Sequence, residues 1–352
     1  MIFPPAAFAI PGDIGTLTGG YIYERRLLEG LRNLGHDMQH LVLPASFPDA
    51  GPADMSAAIA ALEAVDSLRP LIVDGLVFGA IATVGLARVK APVIAMIHHP
   101  LAMESGLSVS RRDRLFRTER DNLRLARHVL VPSPHTRALL VERYQVDPDR
   151  ISIVGPGVDR PTVAMTPVAP LLILSVGILH PRKGHDILIE ALSQLDDLDW
   201  QAVIVGNPWD AEHAQFLARR LKDCSVADRV RLAGRVSDGE LQTLYAQASV
   251  FALATRYEGY GLVFDEALAR GLPIVSCCTG AVPDTVPKGA GLLVQPENAV
   301  AFAEALREII TDPAMRLRMA GIALNAGQEL PDWAQSAVLA SRVIVRLAAG
   351  AG

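Results

Sequence analysis

An α/β architecture of two Rossmann-like domains is what this sequence predicts, on three observations. Short apolar runs alternate with amphipathic stretches of helical period along nearly the whole chain. The alternation lapses over Pro161–Pro170, with prolines at 161, 167 and 170, and then restarts. The length, 352 residues with half of them hydrophobic, suits two cores. Strands alternating with helices imply parallel sheets covered on both faces.

In the first half, Phe8–Ile10, Gln39–Leu43, Leu71–Val73, Val93–Ile97, His128–Val131 and Ile151–Val154 read as strands. Gly20–Leu34, Ala53–Leu68 and Arg112–Ala126 read as helices between them. The proline-rich stretch that follows favours extended backbone and lacks donors, which marks a linker. Beyond it the strands are Leu171–Val176, Gln201–Val205, Val230–Leu232, Val250–Leu253, Ile274–Ser276 and Gly291–Val294. The helices are Asp186–Gln194, Glu212–Asp223, Asp238–Gln247, Phe264–Arg270, Val300–Thr311 and Pro313–Leu324. Trp333–Leu347 is amphipathic and is expected to cross back onto the first domain. The expected domains are therefore 1–163 with the C-terminal helix at about 332–352, and 164–331, facing each other across a deep cleft.

A net charge of −5 argues against wholesale nucleic-acid binding. Three cysteines, two of them adjacent (Cys277 and Cys278) and none in a CxxC spacing, indicate neither a disulfide framework nor a zinc site. No run of eighteen apolar residues suggests a membrane span. The apolar start, Met1–Pro11, lacks a basic flank and contains prolines, so it reads as a first strand rather than a leader. A cytoplasmic, reducing location is the expectation.

Ligands of open parallel sheets bind beyond the carboxyl ends of the strands, so the residues just after each strand carry the functional reading. The strongest segment is Arg256–Pro273, RYEGYGLVFDEALARGLP. Glu258 and Glu266 stand eight apart, with Gly259 and Gly261 between them. Glu258 follows a strand, and Glu266 is expected in the first turn of the next helix, where Gly261 and Leu262 present backbone N–H groups to an anion such as a diphosphate. Val176–Asp186, VGILHPRKGHD, leaves a strand through Gly177 and brings Arg182 and Lys183 to the rim beside a helix start. Arg offers a fork and Lys a point charge to a diphosphate. Pro92–Pro100, PVIAMIHHP, ends a strand in His98 and His99, which alternation sends to opposite sides. Pro11–Arg26, PGDIGTLTGGYIYERR, carries Gly19 and Gly20 at the entry to a helix without forming a dinucleotide fingerprint.

The 256–273 segment resembles the E-x7-E signature of retaining GT-B glycosyltransferases of the family 4 type. Gly271–Ser276, Gly280–Asp284 and Gly291–Val294 are similar to that family's G-x-P-V-V-A run, G-G-x-P-E loop and G-x-L-V strand, in order and spacing. The resemblance extends over about residues 10 to 325 and departs from the family's pattern at Ile178, where an arginine is usual and where Arg182 substitutes. It implies a GT-B fold and transfer of a sugar, with retention and without a metal, from a nucleotide-diphosphate-sugar to a sugar or lipid-linked acceptor. It assigns Glu266 to the ribose, Lys183 and Arg182 to the diphosphate and Glu258 to the sugar. His98 is the match to the family's sugar-contacting histidine and His99 the runner-up, while Gly19 and Gly20 match a glycine pair that approaches the donor phosphate and acceptor. No cofactor beyond the nucleotide-sugar co-substrate is expected. A sugar-nucleotide epimerase and a non-catalytic nucleotide-sugar-binding subunit are the alternatives for this fold.

Two other features bear on partners. Arg111–Arg127 holds seven arginines against three acids, either a solvated helix with ion pairs or a peripheral contact with an anionic membrane surface. Asp197-Leu198-Asp199 has the form of a metal-binding D-x-D motif but precedes its strand rather than following it, so no metal site is expected.

Overall fold

The structure, a computed structural model, describes residues 3–104 and 106–350. Met1 and Ile2 of the apolar start, and Ala351 and Gly352 of the small-residue tail, lie outside the described residues. The chain divides into two compact units, Met1–Gly157 with Pro331–Gly352, and Val158–Leu330. Sequence reading puts the boundary at 163/164. The structure puts it earlier because the proline-rich stretch is tied to the second unit. Thr166 N–H donates to Ala246 O at 2.8 Å, and the Arg160 guanidinium donates to Gly327 O at 2.6 Å and Leu330 O at 2.7 Å.

The first unit holds a six-stranded sheet made of β1 (Ala6–Pro11), β2 (Met38–Leu43), β3 (Leu71–Asp74), β4 (Val93–Met96), β5 (His128–Val131) and β6 (Ile151–Ile153), in the order β2-β1-β3-β4-β5-β6. Every pairing is parallel. Alternation along the strands feeds two cores. Ala7, Ala9, Val73, Ala95 and Val129 face one layer, and Ala6, Phe8, Ile10, Ile72, Ile94 and Leu130 face the other. With both faces covered, the strands must be apolar throughout, which is why they read as continuous runs.

The C-terminal helix, Trp333–Ala349, belongs to this unit. Asp332 and Gln335 form a capping box at its start. Ala337, Ala340, Val343 and Ile344 join Leu27, Leu28 and Leu31 of the helix Gly19–Asn33 in one core. Burying a side chain such as Ile344 stabilises by roughly 1.5–3 kcal/mol. The two helices approach so closely that a Cβ at Gly30 would lie 2.7 Å from Ala337 Cβ. The helix Ala53–Leu68 expected from sequence is shorter, Pro52–Glu63, because the Asp66 carboxylate accepts from Leu68 N–H at 2.8 Å and turns the chain ahead of Pro70.

The second unit repeats the plan with β7 (Leu171–Val176), β8 (Trp200–Val205), β9 (Val230–Gly234), β10 (Val250–Leu253), β11 (Ile274–Cys277) and β12 (Gly291–Val294), ordered β12-β11-β10-β7-β8-β9. All pairings are parallel here too. Leu172, Leu174, Val203, Val205, Phe251 and Leu253 face one core, and Ile173, Ala202, Ile204, Val250 and Ala252 the other.

Strand order locates the ligand sites. The chain reverses its direction of growth between β1 and β3 in the first sheet and between β7 and β10 in the second. At such a switch point the loops leaving the two strands diverge to opposite faces and open a crevice beyond their carboxyl ends.

Candidate functional site

In the second unit, β7 runs into residues 177–184 and β10 into residues 254–261. Pro181–Lys183 forms a 3-10 turn, and His180 Nδ1 accepts from Arg182 N–H at 3.2 Å. The turn closes on Gly184, with φ at +63°, where an added Cβ would sit 1.9 Å from Ala254 O. A glycine there lets the two loops touch backbone to backbone. Arg256 N–H accordingly donates to Arg182 O at 2.8 Å. The Arg256 guanidinium fastens the same loops by donating to Asp186 at 2.8 and 2.9 Å and to Pro181 O, and it also reaches Glu297. Asp186 is held below the usual aspartate range; burial works against its charge, but Arg256 outweighs it.

This scaffold brings Lys183, Arg182 and Glu258 into contact. Lys183 Nζ donates to Glu258 Oε1 at 2.6 Å, and Thr255 Oγ1 lies 3.0 Å from the same oxygen. Arg182 Nη1 donates to Tyr257 O at 3.1 Å and stands 3.5 Å from Glu258 Oε2. Glu258 is only 4% exposed. Burial alone would raise its pKa, but the Lys183 and Arg182 charges and the hydrogen bonds from Lys183 and Thr255 hold it below the usual glutamate range. Gly177 lies alongside the Lys183 stem, where a Cβ would come within 3.3 Å of Lys183 Cδ. The cluster is an ionised carboxylate between two cations, a net positive group of donors at the switch point.

Gly261 and Leu262 open the helix Leu262–Leu268, and Gly261 has φ at +94°. A Cβ there would meet the Phe264 ring at 2.5 Å. Glu266 is not in the first turn of this helix, as sequence reading expects; that place falls to Asp265, because the helix begins at Leu262. Glu266 is half-buried and accepts from Tyr245 Oη at 2.7 Å. Burial pushes its pKa up, Tyr245 and Arg270 draw it back, and Asp159 adds to the rise. Arg270 stacks over the Tyr245 ring at 4.3 Å. Glu266 thus belongs to a Tyr245–Arg270 group rather than to the Lys183 cluster.

In the first unit, Gly19 and Gly20 are the first two helical residues of Gly19–Asn33, after Thr18. A Cβ on Gly20 would lie 3.6 Å from His98 Cδ2. His98 follows β4, and its Nε2 is 3.3 Å from Glu24 Oε1. His99 faces Glu104 instead, at 3.2 Å. Glu24 and Asp74 are buried close to each other, and both pKa values are raised, first by burial; that of Glu24 reaches about 7. Among the described residues, Glu24, Asp74 and His98 form the one group whose polar atoms cluster as metal ligands do.

Asp197 of the D-x-D segment pairs with Arg307 at 2.6 and 2.8 Å on the surface. On the arginine-rich helix, Val109–Leu125, Arg111 pairs with Asp49 and Arg124 with Asp121, while Arg112, Arg114 and Arg117 are exposed. No described helix is long and apolar enough to cross a membrane.

Sequence reasoning missed Thr255, Arg256, Tyr245, Glu24 and Asp74. Glu24 carries a readable signal, since it shares the i, i+3, i+4, i+7 stripe of Leu27, Leu28 and Leu31 and is thus a carboxylate on an apolar face.

Comparison with known proteins fits this geometry. Residues 165–325 match the family model for glycosyl transferases group 1, and residues 19–160 that for glycosyltransferase family 4. The D-inositol 3-phosphate glycosyltransferase of Corynebacterium glutamicum (strain R) is 31% identical over 218 residues, 56% of this chain and 52% of that protein. The chain thus spans about half the length of the curated relatives it matches. Sucrose-phosphate synthase from Thermosynechococcus elongatus superposes with a TM-score of 0.82 at 22% identity, covering 98% of this chain and 100% of the other. Anabaena HepE in complex with UDP and glucose superposes with a TM-score of 0.77 at 16% identity, covering 97% and 99%. With one family model on each unit and a Rossmann-like sheet in both, the chain belongs to the group 1, family 4 glycosyltransferases.

Proposed function

We propose that this protein transfers a sugar from a nucleotide-diphosphate-sugar to an acceptor hydroxyl, with retention at the anomeric carbon and without a metal ion. The observation that carries the reading is the Lys183–Glu258–Arg182 cluster at the switch point of the second sheet. Two cations at that rim offset the charge that grows on a departing diphosphate, the task a divalent ion performs elsewhere. Glu258, kept ionised, accepts hydrogen bonds from sugar hydroxyls, and Glu266 accepts from the ribose. His98 bonds a hydroxyl of the transferred sugar, Gly19 and Gly20 let backbone approach the donor phosphate, and the leaving phosphate takes the acceptor proton. The UDP held by Anabaena HepE, a protein of the same fold, supports the choice of donor. Contact of the arginine-rich helix with an anionic membrane surface would bring a lipid-linked acceptor into reach.

The test is direct. Purified protein is titrated calorimetrically with UDP, GDP and ADP without metal, and the matching nucleotide-sugars are then supplied with candidate acceptors. Acceptor-dependent release of the nucleoside diphosphate, with the anomeric configuration kept in the product NMR spectrum, is expected. Interconversion of the donor sugar, binding without turnover, or strict dependence on added Mn²⁺ or Mg²⁺ would each overturn the reading.

A further inference from the structure

We infer that Glu24 and Asp74 are positioning residues for His98: the pair takes up the imidazole Nε2–H and leaves Nδ1 as a bare acceptor for a hydroxyl of the transferred sugar. The inference rests on the reading of His98 given above.

Glu24 projects from the helix Gly19–Asn33 and Asp74 ends β3, so both stand at the switch point of the first sheet. They are 1% and 3% exposed. Their carboxyls act on each other at short range, and two buried carboxyls so placed keep a proton between them. Asp74 Oδ1 also accepts from Leu76 N–H at 2.9 Å, and Glu24 Oε1 lies 3.3 Å from His98 Nε2. One polar atom of each of the three residues lies within 4.8 Å of the others. Among the described residues, Tyr21 and Tyr23 of the same helix also act on the pair and, beyond Tyr21, Asp13.

Two ionised carboxylates so close and so buried would repel each other. Retaining one proton leaves a single negative charge, which the imidazole N–H satisfies. Burial disfavours the imidazolium, so His98 has one N–H to place. It goes to the nitrogen with an acceptor waiting, Nε2, and this fixes the tautomer. Among the described residues Nδ1 has no hydrogen-bond partner. The ring is held in place by the edge of Tyr23 at 5.2 Å and by Thr136 Oγ1 donating to His98 O at 3.4 Å. The pair thus turns a residue that could donate or accept into a fixed acceptor.

The experiment reads the tautomer by ¹⁵N NMR of histidine-labelled full-length protein without ligand, with His98 assigned by loss of its signals in His98→Asn. At pH 7.5 the wild type is expected to show neutral His98 with the proton on Nε2. Glu24→Leu removes the acceptor and should shift the proton toward Nδ1. Asp74→Asn, whose amide still donates to Glu24, should keep the wild-type tautomer. With a sugar nucleotide, Glu24→Leu should lower kcat/KM about 10–100-fold, by analogy with metal-bound histidines that lose their orienting partner, and Asp74→Asn should retain most of it. An Nδ1–H tautomer in the wild type, an unchanged tautomer in Glu24→Leu with native circular dichroism, or a stoichiometric metal ion in the purified protein would overturn the inference. Failure of the wild type to transfer sugar would strike the functional reading alone, since the tautomer is read without turnover.

Discussion

The two switch points share a topology and differ in electrostatics. In the second sheet a buried carboxylate, Glu258, lies between two cations and stays ionised. In the first, two buried carboxyls meet a single histidine, and burial raises both. Strand order therefore fixes where a crevice opens, while the partners within a few ångströms fix which charge it displays. One rim offers positive charge suited to phosphate, the other hydrogen-bond acceptors suited to hydroxyls.

The largest expected effect comes from breaking the positive rim. Lys183→Ala should lower turnover on the order of 10²-fold or more and reduce unfolding free energy by about 3 kcal/mol, because Glu258 loses its closest counter-charge. Adding Glu258→Ala should recover stability without activity; urea unfolding beside the transfer assay decides this, and no recovery would mean that the ion pair is not the source of the loss. Next is Gly184→Ala, which pushes a methyl into Ala254 O at a left-handed backbone position. A loss of ~1–3 kcal/mol, with weaker nucleoside diphosphate binding by calorimetry, is expected.

A pH series then tests the contrast in sign. Glu24 has a folded pKa of about 7 against 4.5 ordinarily, so the folded chain keeps a proton that the unfolded chain releases. Its contribution to stability is full below 4.5 and is lost as pH rises through about 7. Glu258 is depressed, so its contribution is present above 4.5 and lost as pH falls through its lower folded value. Glu24→Gln should therefore gain on the wild type between pH 4.5 and 7, whereas the deficit of Glu258→Gln should hold there and narrow only in acid. Parallel trends in the two variants would erase the distinction. The smallest effect belongs to Asp197→Asn on the exposed Arg307 pair, where neither the thermal midpoint nor the response of transfer to Mn²⁺ should move.

Much of this was legible in the sequence. The continuous apolar strands follow from sheets buried on both sides, and rim positions follow from the strands, so Glu258, Lys183 and His98 could be picked out as residues just past a strand end. The helix Pro134–Tyr144 was missed although Ser133 caps it and Pro134 starts it, because its short apolar stripe is weak. Pairings between distant loops left no local trace. Nothing in the residues around Arg256 announces Asp186, seventy positions earlier. Glu119 was hidden differently: it lies fully buried in a helix read as basic and solvated, where Leu115 and Leu123 mark its face.

The return of the chain at Pro331 makes the second unit an insertion within the first. During synthesis, Leu27, Leu28 and Leu31 emerge early, but their partners Ala337 and Ile344 leave the ribosome only after the whole second unit. The first unit therefore waits with an apolar face open while the whole second unit is made. A nascent chain stalled near residue 330 would display that face to chaperones and to other copies of itself.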